Sequence, residues 1–220
     1  MAGIDYKFFC NHGSEDAEKK FFRASAKGGA AAFAAAYPTE DSIVLSSCER
    51  AVMVSTDSFI RRPSVCDEAM EGIMGFVNEG IYALQEPRKR SLCSMAVLYI
   101  FRGKARCVTM GNSAVFWFLD GKLASASQGK TDILPGQSLR AKFEFEPEFE
   151  LGKGKNAFLI VSSANSCDLD IPLIENALQS SEGAENWLEA ISPELEKCRC
   201  SVMAMVLPQR KKGLADLLNL

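Results

Sequence analysis

The chain has 220 residues, of which 47% are hydrophobic and 24% are charged, a composition typical of one folded domain of ordinary size. Its 28 acidic and 25 basic residues give a formal net charge of -3, which excludes a global positive field for nucleic acid or an anionic membrane. Apolar runs such as 95–101 are much shorter than the roughly twenty residues that cross a bilayer. We therefore expect neither a nucleic-acid partner nor a membrane partner.

Patterns in the first half of the chain predict a hairpin followed by two helices. Residues 21–36, FFRASAKGGAAAFAAA, predict two short strands joined by a glycine turn at 27–29, although the alanines leave a helix open. Apolar residues at steps of three and four predict a helix over 48–59, which Pro63 ends. A second stripe of helical period predicts another helix over 66–84.

The second half of the chain is dominated by strand patterns. Apolar runs with short polar breaks predict strands at 94–101, 105–110 and 114–119, and the turn pair Asp120-Gly121 follows. Phenylalanines alternate with glutamates over 142–151, which predicts a strand that Pro147 places at a sheet edge. The remaining elements are predicted in chain order as a central strand at 157–163, helices at 172–179 and 183–191, and a last strand at 200–207.

The order of these elements predicts the fold class and the domain organisation. Helices grouped between runs of strands favour an α+β domain with mostly antiparallel sheets. We find no internal repeat or long linker, so we predict a single domain over residues 1–210. The tail 211–220 is predicted to be a short amphipathic helix.

The cysteines and the single histidine limit the chemistry that the chain can perform. Most of the eight cysteines lie in apolar runs, as Cys48 and Cys93 do, and the N-terminal sequence has no secretory-signal pattern. We therefore expect reduced thiols and a cytoplasmic location. The pair Cys198 and Cys200 has no histidine nearby to complete a zinc site, and His12 alone excludes sites built from several imidazoles.

Several strings, in order over nearly the whole chain, resemble motifs of the metal-dependent serine/threonine phosphatases of the 2C type, the PPM family. GNSAVFWFLDGKL (111–123) is similar to that family's GDSRxYxxRDGKL hairpin, and AFLIVSSANSCD (157–168) to its FLLLxSDGLxD. KCRCSVMAMVL (197–207) resembles the closing RDNITVVVV strand. GSEDAEKKFF (13–22) and AAFAAAYP (31–38) stand where the family has NEDA and FAVADGMGG. The resemblance implies a four-layer α/β/β/α sandwich, with two mostly antiparallel sheets face to face and helices outside.

The resemblance also implies a specific chemistry that this sequence can be tested against. In the family, aspartates at the sheet ends hold two Mg²⁺ or Mn²⁺ ions, which activate a water that attacks phosphoserine or phosphothreonine. Hard divalent ions need oxygen ligands, and two cations in one cavity need several negative charges nearby. Glu15 and Asp16 match the acidic pair of the NEDA motif.

The other acidic positions of the family motifs are occupied by residues without a carboxylate. The DG of the first metal motif falls on Ala35-Ala36, the aspartate and glycine of SDG on Ala164 and Asn165, and the aspartate of GDS on Asn112. The final aspartate falls on Cys198 or, with a slip of one residue, on Arg199. A second register would put the DG motif on Asp57-Ser58, but it leaves too few residues for the first helix.

The family's phosphate-binding arginine, four positions before Glu15, is replaced by Asn11. Asn11 and the adjacent His12 are therefore candidate contacts for a phosphate or another anion. Ser162, Ser163 and Asn165 are further candidate donors, although such residues also commonly terminate strands. The acidic residues Asp168 and Asp170 are predicted to cap the helix that follows them.

These substitutions predict a pseudophosphatase that keeps the fold and lacks the two-metal reaction. No intact catalytic residues and no cofactor are expected, and at most Asp16 holds a metal ion. The expected role is a regulatory module whose partner is a protein, such as a phosphoprotein or a kinase. The alternative is an active phosphatase using Mn or Mg, for which substitute carboxylates would have to converge from Glu40, Asp41, Asp168 or Asp170. A third hypothesis is an unrelated layered domain with a small-molecule pocket.

Two surface features leave further alternatives open. The basic triplet 88–90, together with Arg61 and Arg62, could attract a phosphorylated partner or could be solvated loop charge. The Phe/Glu strand could pair with a partner's strand, but its glutamates and Pro147 favour protection of the edge.

Overall fold

A computed structural model describes residues 4–12, 17–39, 45–86, 91–129, 134–139, 141, 143, 145–166 and 168–207, and the following description concerns these residues. The strands are β1 (Asp5–Cys10), β2 (Phe22–Lys27), β3 (Ala30–Pro38), β4 (Cys93–Phe101), β5 (Lys104–Met110), β6 (Ser113–Leu119), β7 (Lys122–Gln128), β8 (Phe149–Glu150), β9 (Asn156–Ser163) and β10 (Cys200–Val206). The helices are α1 (Ala17–Phe21), α2 (Ser46–Arg61), α3 (Asp67–Tyr82), α4 (Ile171–Ser180) and α5 (Ala184–Leu195).

The strands form two five-stranded antiparallel sheets. One sheet has the order β1-β10-β9-β6-β7, and the other has the order β2-β3-β4-β5-β8. Both are built largely from strands that follow one another in the chain, because short turns such as Gly28-Gly29, with φ of 57° and 80°, reverse its direction. The predicted turn at 27–29 is confirmed.

The two sheets pack face to face, and a pair of helices covers the outer side of each. Alternate side chains of β9 show this arrangement, because Phe158 and Ile160 belong to the core between the sheets. Leu159 and Val161 point the other way, into a second core that includes Trp187 of α5. The helices α2 and α3 cover the other sheet, with apolar residues of both in its core. The predicted four-layer α/β/β/α sandwich is confirmed.

Most predicted elements are present, but the strand predicted over 142–151 is largely wrong. Of the described residues in this range, only Phe149–Glu150 pairs with a neighbouring strand, and it does so at the sheet edge, as predicted. Phe143 and Phe145 pack against the core without belonging to a strand. Pro147 has no N–H to donate to a ladder, which shortens the pairing. The sequence patterns also missed β1, α1 and most of β7.

The fold brings several strand ends together at one end of the sandwich. Cys10, which ends β1, lies opposite Ser201, and Ser163, which ends β9, lies opposite Cys200. A hydrogen bond of 2.8 Å from Ser201 Oγ to the Ala36 carbonyl connects this end of β10 to β3 in the other sheet, just before β3 ends at Pro38. We call this region, where β1, β3 and β9 end and β10 begins, the strand-end site.

No helix within the described ranges is long and apolar enough to cross a membrane. The predicted tail helix at 211–220 and the basic triplet 88–90 lie outside the described residues.

The face-to-face packing can be tested with two substitutions of the same chemistry. Phe158→Ala should lower the free energy of unfolding by about 3–5 kcal/mol, because this fully buried ring fills the space between the sheets. Phe76→Ala on α3, where the ring is 61% exposed, should change it by less than about 0.5 kcal/mol. Urea unfolding followed by circular dichroism measures both values. Equal losses for the two variants would contradict this packing.

Candidate functional site

Asn11 fastens the end of β1 to the segment that leads into β10. Its backbone N–H donates to the Cys200 carbonyl at 2.9 Å. Its side-chain amide nitrogen donates to two further carbonyls, those of Glu196 at 2.9 Å and Cys198 at 3.0 Å. Both hydrogens of the amide are therefore engaged within the protein.

Tyr37 closes the end of β3 against the same segment. Its side chain is almost fully buried, and its hydroxyl donates to the Asn11 carbonyl at 2.9 Å. Burial raises the pKa of the Tyr37 hydroxyl, an effect that a hydrogen bond from Arg199 partly opposes. The phenol therefore remains neutral at physiological pH. The sequence patterns missed Tyr37, and the only available signal was its position as the last residue before Pro38.

His12 packs against aromatic rings at the same place. Its ring centroid lies 5.0 Å from that of Phe21 and 5.8 Å from that of Tyr37, with edge-on geometry in both pairs. Its Nδ1 is buried and has no hydrogen-bond partner among the described residues. The ring is thus held in place while one polar atom remains unsatisfied.

The end of β9 is held by residues that the resemblance places at acidic motif positions. The Ala164 N–H donates to the Arg199 carbonyl at 3.0 Å, and the Asn112 side chain donates to the Ala164 carbonyl at 2.8 Å. The Ser163 hydroxyl contacts the carbonyls of Asn112 and Asn165, at 3.0 and 2.5 Å. The structure therefore brings Asn112, Ala164 and Asn165 together with Arg199.

Three buried serines lie side by side across β6, β9 and β10 near this end. Ser113 and Ser201 both pair with Ser162 in register. Ser113 Oγ donates to the Met95 carbonyl at 2.7 Å, so these hydroxyls cross-link the two sheets as the Ser201 bond does. Ser162 Oγ is buried, and no described residue forms a hydrogen bond with it.

Ala35 and Ala36 lie inside β3 and not at its end. Both are fully buried and paired with β4, and Ala35 is also paired with Phe22 of β2. The last β3 side chain that reaches the end of β1 is that of Tyr37. Asp57, the other candidate for the first motif, lies within α2 and forms an ion pair of 2.8 Å with Arg23 of β2. The ion pair therefore places the Asp57 carboxylate on the side of the sheet that α2 and α3 cover.

The oxidation state of the cysteines agrees only in part with the expectation of reduced thiols. Six described cysteines are reduced, as predicted, namely Cys10, Cys48, Cys66, Cys93, Cys107 and Cys200. Cys198 is in a disulfide, so the prediction of a reduced thiol is wrong there, and Cys167 lies outside the described residues. Cys198 is only half-buried in the turn before β10, where the argument from apolar strands does not apply.

The candidate acids are divided between described and undescribed parts of the chain. Glu15, Asp16, Glu40 and Asp41 lie outside the described residues. Asp170 caps α4 by accepting the Leu173 N–H at 3.1 Å, which confirms the predicted cap. Asp168 is exposed in the loop before that helix.

The described residues do not fit a pair of hard divalent ions. Within the described part of the chain, no group of three or more His, Cys, Asp or Glu side chains is arranged to hold a metal ion. The strand-end site instead presents a phenol, a methyl group, amides, hydroxyls and a guanidinium. Because Mg²⁺ and Mn²⁺ need several anionic oxygen ligands, these groups do not form a two-metal centre.

Comparison with known proteins bears on the fold. No family model matches the chain, and no curated protein sequence matches it. Among solved structures, it is similar to the serine/threonine phosphatase of S. agalactiae, with a TM-score of 0.70 and 12% identity over 92% of this chain and 98% of that one.

Two further structures are similar. The PPM Ser-Thr phosphatase MsPP from Mycobacterium smegmatis, in complex with cacodylate, has a TM-score of 0.63 and 14% identity over 94% and 97% of the two chains. The catalytic domain of the phosphatase PstP, in complex with two manganese ions, has a TM-score of 0.63 and 15% identity over 94% and 99%.

These similarities define a class of fold. The chain has the fold of the PPM serine/threonine phosphatases, with two five-stranded antiparallel sheets and helices outside. The hypothesis of an unrelated layered domain is therefore wrong. At such low identity the comparison shows the fold alone, and the assignment of degenerate motif positions to Ala35, Ala36, Asn112, Ala164, Asn165 and Cys198 stays a prediction.

The thiols of this protein should differ strongly in reactivity. Burial raises the pKa values of Cys107 and Cys200 to about 12, so both stay protonated until the pH rises towards that value. Cys66 is exposed and should be alkylated first by iodoacetamide at pH 8, with Cys107 and Cys200 modified only after unfolding. Mass spectrometry of peptides from a time course measures the order. Alkylation of Cys200 in the native protein as fast as that of Cys66 would contradict its burial.

Proposed function

We propose that this protein is a pseudophosphatase, a PPM-fold module that regulates or binds another protein and does not hydrolyse phosphate esters. The observation that carries the proposal is the neutral hydrogen-bonded network of the strand-end site. Tyr37 donates to Asn11, Asn11 donates to Cys198, and Asn112 donates to Ala164. These groups satisfy one another without a metal ion.

The energetics of a two-metal site support this interpretation. Two divalent ions about 4 Å apart repel each other by about 17 kcal/mol at an effective dielectric constant of about 20. Several carboxylates must offset that repulsion as well as bind the ions. The side chains of Tyr37, Ala164 and Asn112 carry no charge to do so. Glu15 and Asp16, the acids that match the family motif, would be left to hold both ions.

The proposed partner is a protein, such as a phosphoprotein or a kinase, in the cytoplasm. The fold is retained with two well-filled cores, although the described strand-end residues do not suit the family reaction. Retention of a large folded surface without that reaction is expected of a binding module. The reduced thiols fit a reducing compartment, whereas the disulfide of Cys198 does not.

The second candidate is a divergent but active phosphatase that uses Mn or Mg. Two observations favour it. The acidic pair Glu15 and Asp16 matches the family motif, and the structurally similar PstP was solved with two manganese ions. Further carboxylates would have to come from residues such as Glu40 and Asp41.

A hydrolysis assay separates the two candidates. Purified protein with manganese should not hydrolyse a phosphoserine peptide or an aryl phosphate above the buffer rate, because the described residues include no group of side chains that could hold a metal ion. Released phosphate is the measurement. The proposal fails if hydrolysis depends on manganese and is abolished by Asp16→Ala. Asp57→Ala is the matched control, since Asp57 is paired with Arg23 away from the strand ends and its loss should leave any such activity intact.

A further inference from the structure

Cys198 carries a disulfide into the strand-end site. It is half-buried in the turn between α5 and β10, and it is disulfide-bonded, whereas six described cysteines are reduced. The sequence has eight cysteines, so the one that remains as a partner within this chain is Cys167, which lies outside the described residues. One disulfide is therefore present beside six thiols that stay reduced.

The pairing of β9 with β10 brings the two relevant stretches of chain together. Where β9 ends, the Ala164 N–H donates to the Arg199 carbonyl at 3.0 Å. Cys198 directly precedes Arg199 in the sequence. Cys167 follows Ala164 after so few residues that the chain between them spans at most about 11 Å. Since the Cα atoms of a disulfide lie about 4–7 Å apart, the pair is within reach of this chain.

The turn that contains Cys198 is fastened by hydrogen bonds of its own. The Cys198 N–H donates to the Leu195 carbonyl at 3.0 Å, and the Cys198 carbonyl accepts from the Asn11 side chain at 3.0 Å. The disulfide therefore adds a covalent link between a turn that is already held and the loop that leads from β9 to α4. Breaking the disulfide should release this loop and leave the turn in place.

The same loop forms part of the wall of a cavity of about 230 Å³. Ser166, Asp168 and Leu169 of the loop line this cavity, together with residues that include Asn112 beside β6. Cys167 stands in the sequence between Ser166 and Asp168, so a bond to its sulfur constrains this part of the wall. The oxidation state of the disulfide therefore bears on the shape of the cavity.

The exposure of the cysteines favours exchange with thiols from solution. Cys198 is only half-buried, so part of the residue is open to a small thiol. Cys200, two positions further along the chain, is fully buried, and burial raises its pKa to about 12. Because the thiolate is the attacking species, Cys200 does not exchange with the disulfide at neutral pH.

We propose that Cys167 and Cys198 form a reversible disulfide, a redox modification site that exchanges with small thiols such as glutathione. In reduction, a glutathione thiolate attacks one sulfur and breaks the disulfide, and the other cysteine leaves as a thiolate that takes up a proton. A second glutathione thiolate attacks the mixed disulfide, which releases the second cysteine and forms glutathione disulfide. The protein gains two electrons and two protons, two glutathione molecules are oxidised, and glutathione disulfide reverses the reaction.

Reduction has two consequences for the fold. It frees the loop between β9 and α4, which changes the wall of the cavity. It also opens a covalent loop that contains α4 and α5, and this lowers stability because the unfolded chain is no longer constrained. The inference goes beyond the proposed function, since the exchange takes place equally in a pseudophosphatase and in an active phosphatase.

Mass spectrometry of peptides from the whole chain tests the pairing and its reversibility. The native protein is equilibrated with glutathione disulfide, its free thiols are blocked, and it is digested without reductant. We expect a linked pair of peptides that contains Cys167 and Cys198, and we expect glutathione to remove the link from the native protein. The proposal is overturned if no link forms, if Cys198 is linked to another cysteine or to a second chain, or if glutathione breaks the link only in denaturant.

Thermal melting of two cysteine variants assigns the effect to the disulfide. The unmodified chain should melt about 5–10 °C lower in glutathione than in glutathione disulfide, because the cross-link limits the unfolded state. Cys198→Ser should melt at the lower temperature in both buffers. Cys66→Ser, which removes an exposed thiol just before α3, is the matched control and should keep the difference. A difference that persists in Cys198→Ser would refute the assignment.

Nuclear magnetic resonance of the ¹⁵N-labelled chain without substitutions locates the change. Reduction should shift the amide signals of Asn112, Ser166 and Asp168, which line the cavity, and leave that of Gly28 in the turn between β2 and β3 unchanged. Cavity amides that do not move would contradict the effect on the cavity. None of these measurements involves manganese or a phosphate ester. Their failure would leave the proposed function standing, whereas manganese-dependent hydrolysis would overturn that proposal alone.

Discussion

The hydrogen bond from the Tyr37 hydroxyl to the Asn11 carbonyl is the interaction on which the account of the strand-end site depends. It joins the end of β3 in one sheet to the end of β1 in the other, and Asn11 continues the connection into the segment before β10. The bond requires a neutral phenol, which the burial of Tyr37 ensures. These contacts in the described part of the strand-end site are made by neutral groups.

The other hydrogen bonds of the strand-end site also join neutral groups. The backbone of Ala164 is held by hydrogen bonds to Arg199 and Asn112, and the serines of β6 and β10 bond to carbonyls of the facing sheet. Buried polar groups satisfied in this way stabilise a fold, and no carboxylate is needed among them. Among the described residues of the strand-end site, Arg199 is charged, and its sign is opposite to that of an acidic metal ligand.

The sequence predicted the fold far better than the site. Periodicity located the helices and most strands, since burial of one face imposes a repeat that one sequence displays. Periodicity did not locate most of β7, because the small polar residues of β7 are held in a strand by pairing with β6. The role of Tyr37 could not be predicted, because its partner is a backbone carbonyl 26 residues away that carries no side-chain signal. The disulfide of Cys198 was missed for a similar reason, since apolar context predicts burial and not pairing.

Whether the strand-end site can hold two divalent ions is measured by calorimetric titration with manganese, which counts bound ions independently of any substrate. We expect at most one manganese ion to bind per chain, and Asp16→Ala should abolish that binding. Saturable uptake of two ions per chain would contradict it, since the neutral network around Tyr37 could then not describe the site as it exists in solution.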